Sequence, residues 1–246
     1  MRKILIRALV PLISNGGPKR EVSYTNILGM ARRLTLCSVC LGLLFLSSCV
    51  AGSCPWIAES PELVKLFVPE FQKGGLKVVL RHTKTGRNVD RTDCLYPDEA
   101  LDLNDGRKQA ELIGKGFNSL SKSELQIYYS PYCRTLQTAE IAFPYSGKIK
   151  KDELAFGNES SPWLKEQIQR ASKMGTNEVY VTHSPNMNEI KEDGIGVLGR
   201  DARLYWGMAA FFNPSADREP LGLLGCSLPD HWESIVSQAK NAGLLP

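Results

Sequence analysis

Three short apolar runs, each ending in a polar motif, constrain what this chain can fold into. Leu76-Lys77-Val78-Val79-Leu80 leads into Arg81-His82, and Gln126-Ile127-Tyr128-Tyr129-Ser130 leads into Pro131-Tyr132-Cys133-Arg134-Thr135. Glu178-Val179-Tyr180-Val181-Thr182 leads into His183. Apolar runs of this length read as buried strands, and segments of helical periodicity separate them. The βαβαβ alternation predicts an α/β fold, a three-layer sandwich with a mostly parallel central sheet and helices on both faces. Open sheets of this kind bind ligands beyond the C-terminal ends of their strands.

The intervening segments carry their own signals. Ser60-Pro61 reads as a cap and first helical residue, with Leu63, Leu66, Phe67 and Phe71 at helical spacing and Gly74-Gly75 as the stop. Asn104-Asp105 reads as the cap of a helix whose Ala110, Ile113 and Phe117 share a face. A helix over 133–143 places Leu136, Ala139 and Ile141 on its apolar side, and one opened by Ser161-Pro162 carries Leu164, Ile168 and Ala171. The run Met208-Ala209-Ala210-Phe211-Phe212 predicts a fourth strand at a sheet edge, and Pro229-Asp230 starts a last helix through Trp232 and Ile235. The polar stretch 83–102 is too long for a simple connection and opens at a strand end, which marks it as functional.

The amino-terminal part behaves differently. Residues 34–46 are mostly apolar, too short for a membrane span and suited to the core of a signal peptide. Arg32-Arg33 precedes it, and Leu46-Ser47-Ser48-Cys49 follows, a tetrapeptide that resembles the bacterial lipobox whose cysteine is diacylated. The competing readings are a buried core helix and an uncleaved anchor. The predicted organisation is an unstructured upstream extension over 1–29, a lipoprotein-type signal peptide over 30–48, a tether over 49–59 and one domain over 60–246. The start residue, Met1 or Met30, stays open. Acylation of Cys49 would tie the protein to a membrane without spanning it. Val50 after that cysteine resembles outer-membrane sorting in a Gram-negative cell, so the expected location is the bacterial cell envelope, on the periplasmic face of the outer membrane.

Charge points the same way. The net +4 includes seven of the 30 Lys/Arg and one of the 26 Asp/Glu within residues 1–48. The remainder holds 23 basic against 25 acidic residues, which removes a global argument for nucleic-acid binding. Cys54, Cys94, Cys133 and Cys226 remain beyond Cys49, an even number with three possible pairings in an oxidising compartment. Cys133 reads as a small buried hydrophobe.

Two of the three histidines, His82 and His183, thus share strand-end settings with Arg81 and Arg134. A lone histidine at a strand end is commonly a hydrogen-bonded structural residue, and His231 is read that way. Two imidazoles with two guanidiniums suit a dianion instead, and the expected ligand is a phosphoryl group. No cluster of carboxylates or ligand-spaced histidines suggests a metal, and no cofactor is implied.

Arg81-His82, the 130–135 motif and Thr182-His183-Ser184, with Leu103-Asn104-Asp105-Gly106-Arg107-Lys108-Gln109-Ala110, resemble the histidine phosphatase superfamily of phosphoglycerate mutase-like enzymes over residues 76–240. The resemblance implies that His82 attacks phosphorus to form a phosphohistidine, while Arg81, Arg134 and His183 hold the phosphoryl oxygens. It implies a neutral His82 whose second nitrogen is fixed by a backbone carbonyl, and a cationic His183 when phosphate is bound. Thr83 stands where the family commonly has glycine, and its hydroxyl is a candidate phosphate contact along with Ser184. The proton donor is Glu153 or Glu159, and it needs a dry or like-charged setting.

Asp90-Arg91-Thr92-Asp93-Cys94-Leu95 and Gly157-Asn158-Glu159 are similar to the lipopolysaccharide core heptose(II)-phosphate phosphatase branch. That likeness makes Arg87 and Arg91 candidate substrate contacts and a phosphorylated small molecule or glycan the expected substrate. The alternatives are a mutase, disfavoured by the export signal, and a catalytically weak or inactive phosphate- or glycan-binding lipoprotein of the same fold.

Overall fold

The computed structural model describes residues 54–86, 100–155, 160–192, 195–198, 205–215 and 221–246. Cys49, Arg87, Arg91, Cys94 and Glu159 lie outside the described residues. Among the described residues, the chain begins with a 3-10 turn, Ile57–Glu59, and helix α1, Pro61–Lys73. Strand β1, Lys77–Arg81, follows, then α2, Asp105–Leu120, and β2, Glu124–Tyr129. Next come α3, Cys133–Ala142, and β3, Lys148–Lys150. A second 3-10 turn, Asp152–Leu154, leads to α4, Ser160–Gln169, and β4, Thr176–Thr182. The short helix α5, Ser184–Asn188, precedes a small hairpin of β5, Lys191–Glu192, and β6, Ile195–Gly196. Strands β7, Ala209–Phe212, and β8, Leu223–Ser227, and helix α6, His231–Asn241, complete the chain.

The main sheet has the order β3-β2-β4-β1-β7-β8. Strands β1 to β4 are mutually parallel through the pairs β1/β4, β2/β4 and β2/β3, and β7 runs antiparallel to both β1 and β8. The α/β sandwich with a mostly parallel sheet is therefore observed. One cluster of buried side chains joins Val78, Leu80, Val179, Val181 and Phe211 of the sheet to Phe67 and Phe71 of α1, Ile113 and Phe117 of α2, Ala139 of α3 and Trp232 of α6. The other joins Val79, Tyr180, Ala210 and Phe212 to Leu164 and Ile168 of α4 and Met187 of α5. Because strand side chains alternate between faces, both faces of β1, β4 and β7 need apolar residues, which is why these strands read as continuous runs.

Several details correct the expectations. The run 209–212 is not an edge strand; β8 pairs along its outer side, so all four residues are buried. Leu66 of α1 is 48 % exposed, and the inner face is Val64, Phe67, Val68 and Phe71. Ser60 caps α1 by accepting from the Leu63 N–H at 3.2 Å. Asn104 holds the N-cap position of α2 but its side chain makes no capping bond; instead Asp102 Oδ1 accepts from the Asn104 and Asp105 N–H groups at 3.1 and 2.7 Å. Helix α3 buries polar Thr135, Gln137 and Thr138, whereas Leu136 and Ile141 are only half-buried.

Cys54 and Cys226 form a disulfide that ties the start of the described chain to β8 across 172 positions of sequence. Cys133 is also disulfide-bonded, so it is not a free buried thiol, and its partner lies outside the described residues.

Candidate active site

The parallel strands β1, β4 and β2 end side by side, and the motifs that follow them meet there. Arg81 pairs with Thr182 in the β1/β4 register, so His82 and His183 each step one residue past the sheet. Their ring centroids are 5.2 Å apart with planes inclined by 63°. His82 is held by its backbone on both sides: its N–H donates to the Thr182 carbonyl at 3.0 Å, and its carbonyl accepts from the Gly207 N–H at 3.2 Å.

The His82 side chain is committed to one tautomer. Nδ1 lies 3.0 Å from the Thr83 carbonyl, an acceptor only, so Nδ1 carries the proton and Nε2 keeps its lone pair. Burial, then coupling to His183 and the Arg134 charge, push the imidazole well below its ordinary range, outweighing the Thr83 hydrogen bond. A neutral, oriented nitrogen in a nearly dry setting is the form a nucleophile requires.

His183 is fixed with equal economy. Arg134 Nε donates to its Nδ1 at 3.2 Å, so that nitrogen carries no proton; Nε2 therefore donates to Ser130 Oγ at 2.8 Å. Burial, then Arg134 and Arg81, lower its pKa to about 3. In this state His183 is neutral. A dianion beside it would favour the imidazolium, whose formation requires Arg134 Nε to leave Nδ1.

Helix α3 places Arg134 in its first turn, where the backbone dipole also favours an anion. Thr138, one turn further on, joins this helix to β1. Its Oγ1 donates to the Arg134 carbonyl at 2.7 Å and accepts from the Thr83 N–H at 3.1 Å. With that proton spent, the 3.3 Å contact to Thr83 Oγ1 has Thr83 as donor. Thr83 is fully buried and faces Thr138. Its hydroxyl proton is thus directed at Thr138.

Aromatic rings line the two sides. The Arg81 guanidinium carbon lies 3.9 Å from the centroid of Trp206, which is also 5.1 Å from the His82 ring. The Arg134 guanidinium carbon lies 4.9 Å from Tyr132, whose ring meets His183 edge-on at 5.1 Å. Burial, then Arg134, lower the Arg81 pKa to about 10, so it stays cationic at neutral pH.

The structure thus brings together Arg81, His82, Arg134 and His183. Ser184 is half-buried at the start of α5, next to His183. Glu153 is exposed on the 3-10 turn that docks on β4 and α5, where Thr182 Oγ1 and Asn186 Nδ2 donate to the Leu154 carbonyl at 3.2 and 2.9 Å. That exposure is not the dry setting a carboxyl donor needs. Sequence reasoning assigned no role to Ser130, Tyr132, Thr138 or Trp206. The first two lie inside the motif already singled out, and Thr138 follows Arg134 at the i+4 spacing of one helical turn. Trp206 carried no signal beyond its place before the run 208–212.

Residues 78–155 match the family model of the histidine phosphatase superfamily, branch 1. No curated protein matches the chain. Among solved structures the chain is similar to the protein histidine phosphatase SixA complexed with tungstate, with a TM-score of 0.46 and 13 % identity over 63 % of this chain and 97 % of that one. It is also similar to SixA of Nakamurella multipartitia, with a TM-score of 0.42 and 17 % identity over 63 % and 95 % of the two chains. For SixA of Agrobacterium tumefaciens the TM-score is 0.41 and the identity 22 %, over 57 % and 92 %.

Proposed function

We propose that this protein is a phosphomonoester hydrolase working through a phosphohistidine on His82. The observation that carries the reading is the His82 tautomer: Nδ1–H is tied to the Thr83 carbonyl, and the free Nε2 stands among Arg81, Arg134 and His183. The match of residues 78–155 to the histidine phosphatase superfamily supports the same chemistry. Nε2 attacks phosphorus, the bond to the ester oxygen breaks, and that oxygen leaves with a proton from Glu153 or Glu159, the two candidate carboxyl groups. Water then attacks the phosphohistidine and gives a proton to the same carboxylate, the nitrogen–phosphorus bond breaks, and inorganic phosphate departs from a regenerated His82. The guanidiniums stabilise the equatorial oxygens through both steps.

The substrate we propose is a phosphorylated sugar of the bacterial cell envelope, with the protein anchored through lipid on Cys49. Supporting this are the signal-like segment 30–48, the lipobox-like tetrapeptide and the Asp90-Arg91-Thr92-Asp93-Cys94-Leu95 motif. Cys49→Ser should release the protein from membranes, whereas continued membrane retention would count against the lipid anchor.

The purified protein should hydrolyse an aryl phosphate in the presence of EDTA and be inhibited by vanadate. His82→Ala should reduce turnover by at least ~10³-fold without altering the fold. Acid-labile label trapped on His82 during turnover would establish the intermediate, and undiminished turnover in His82→Ala would refute it. One observation favours a second reading, a phosphate-binding protein with little or no turnover: Glu153, the donor within the described residues, is exposed. Phosphate affinity in a parent protein without hydrolysis would select that alternative.

A further inference from the structure

We infer that Trp206 is a positioning residue of the phosphate site, acting through Arg81, whose guanidinium it holds by its face. This rests on the phosphate-binding reading of the site and adds to it a residue outside the four strand-end groups.

Face-on stacking matters because of what an arginine must do here. A guanidinium recognises phosphoryl oxygens through N–H groups at its edge, in its own plane. An aromatic ring engages the cation through its own π face, by attraction between cation and ring quadrupole, and does not itself occupy that edge. The Arg81 guanidinium carbon lies over the Trp206 ring, 3.9 Å from its centroid, closer than the 4.9 Å between Arg134 and Tyr132. The attraction is stronger at a desolvated site, and Arg81 is 5 % exposed. The same indole lies 5.1 Å from His82, so one side chain bounds both the guanidinium and the nucleophile.

The turn that carries the ring is fixed by its surroundings. Gly207, next in sequence, has φ of 67° and would bring a Cβ within 2.7 Å of Pro229 Cγ, so a side chain is excluded at this turn. Its N–H is bound to the His82 carbonyl at 3.2 Å, and the Met208 carbonyl accepts from the Arg81 N–H at 2.9 Å. On the other side Tyr205 meets Trp56 edge-on at 5.6 Å, beside the Cys54–Cys226 bridge. The turn is therefore clamped to the two residues that its indole touches.

The test compares Trp206→Leu, which keeps apolar bulk, with Trp206→Phe, which keeps a π face, using inorganic phosphate binding by calorimetry. The leucine variant should bind phosphate about 5- to 30-fold more weakly, and phenylalanine should restore most of that loss. Should either variant fold poorly, site-specific incorporation of progressively fluorinated tryptophans at position 206 preserves shape while draining the quadrupole. Affinity should then fall stepwise with fluorine count. Unchanged phosphate affinity across the fluorinated series, or in a folded leucine variant, would overturn the inference. Because the readout is binding, a parent that binds phosphate without turnover would defeat the catalytic proposal and leave this one standing.

Discussion

Arg134 and His183 share a hydrogen bond that cannot survive protonation of the imidazole. Nε of the arginine donates to Nδ1 at 3.2 Å while Nε2 is directed to Ser130 Oγ, so both ring nitrogens are engaged in the neutral form. With its pKa at about 3, His183 carries no charge at neutral pH. A bound dianion reverses the balance by rewarding the imidazolium, and Arg134 is freed at Nε in the same event. Sulfate, whose charge does not change near neutrality, should be taken up together with close to one proton at about pH 6. Calorimetry in buffers of different ionisation heat measures this directly. Uptake of sulfate with no proton would show that His183 stays neutral in the complex.

The partner of His183 at the other nitrogen sets its orientation. Ser130 is fully buried, and its hydroxyl is the acceptor of the Nε2 proton. Ser130→Ala should cost about 1–3 kcal/mol in urea unfolding, because a buried donor loses its acceptor. It should also lower kcat/KM for an aryl phosphate by about tenfold or more, since the ring loses one of the two hydrogen bonds that orient it. A variant with parental kcat/KM would show that the bond to Arg134 alone holds the ring.

Much of the fold was legible because strands buried on both faces leave a run of apolar residues. Strands β1 and β4 announced themselves in this way, β2 by its apolar residues around the buried Ile127, and the order of polar motifs after them located the site. Strand β8 did not: Leu223-Leu224-Gly225-Cys226-Ser227 has no β-branched residue, and Gly225 sits where Pro55 and Ile57 approach too closely for a Cβ. Missing β8 made β7 look like an edge. Strand β3 is three residues with lysine at both ends, the charged short form that protects a sheet edge and resembles a loop in sequence. Helix α3 misled periodicity because its inner face serves the site with hydroxyls and an amide: Thr138 binds the Thr83 N–H, and Gln137 Oε1 accepts from the Leu101 N–H at 3.0 Å. Trp206 was invisible because its role depends on β7 folding back along β1.

The bridge between Cys54 and Cys226 closes nearly the whole described chain into one loop, 172 positions apart. Restraining so long a loop in the unfolded chain is worth about 2–4 kcal/mol in typical cases. The double variant Cys54→Ser with Cys226→Ser should lower unfolding free energy by that amount, while leaving the second bridge at Cys133 intact. An unchanged urea midpoint in the oxidised double variant would mean that the contacts of Ile57 and Trp56 suffice to hold this segment.

Stability should also follow the charge state of the buried imidazoles. Both His82 and His183 have folded-state pKa values below the ordinary 6.5, His183 at about 3. In that interval the unfolded chain binds protons that the folded protein refuses. Their contribution is thus fully present above about pH 6.5 and is lost as pH falls toward the folded values. For a single such group the slope approaches ~1.4 kcal/mol per pH unit. His183→Asn removes one titrating site, so its unfolding free energy should vary less between pH 7 and pH 4.5 than the parent's, by close to one proton in the linkage slope. Urea titrations at the two pH values supply the comparison. Parallel pH profiles for parent and variant would mean that His183 is protonated in the folded protein as readily as in the unfolded chain, which its bond from Arg134 Nε forbids.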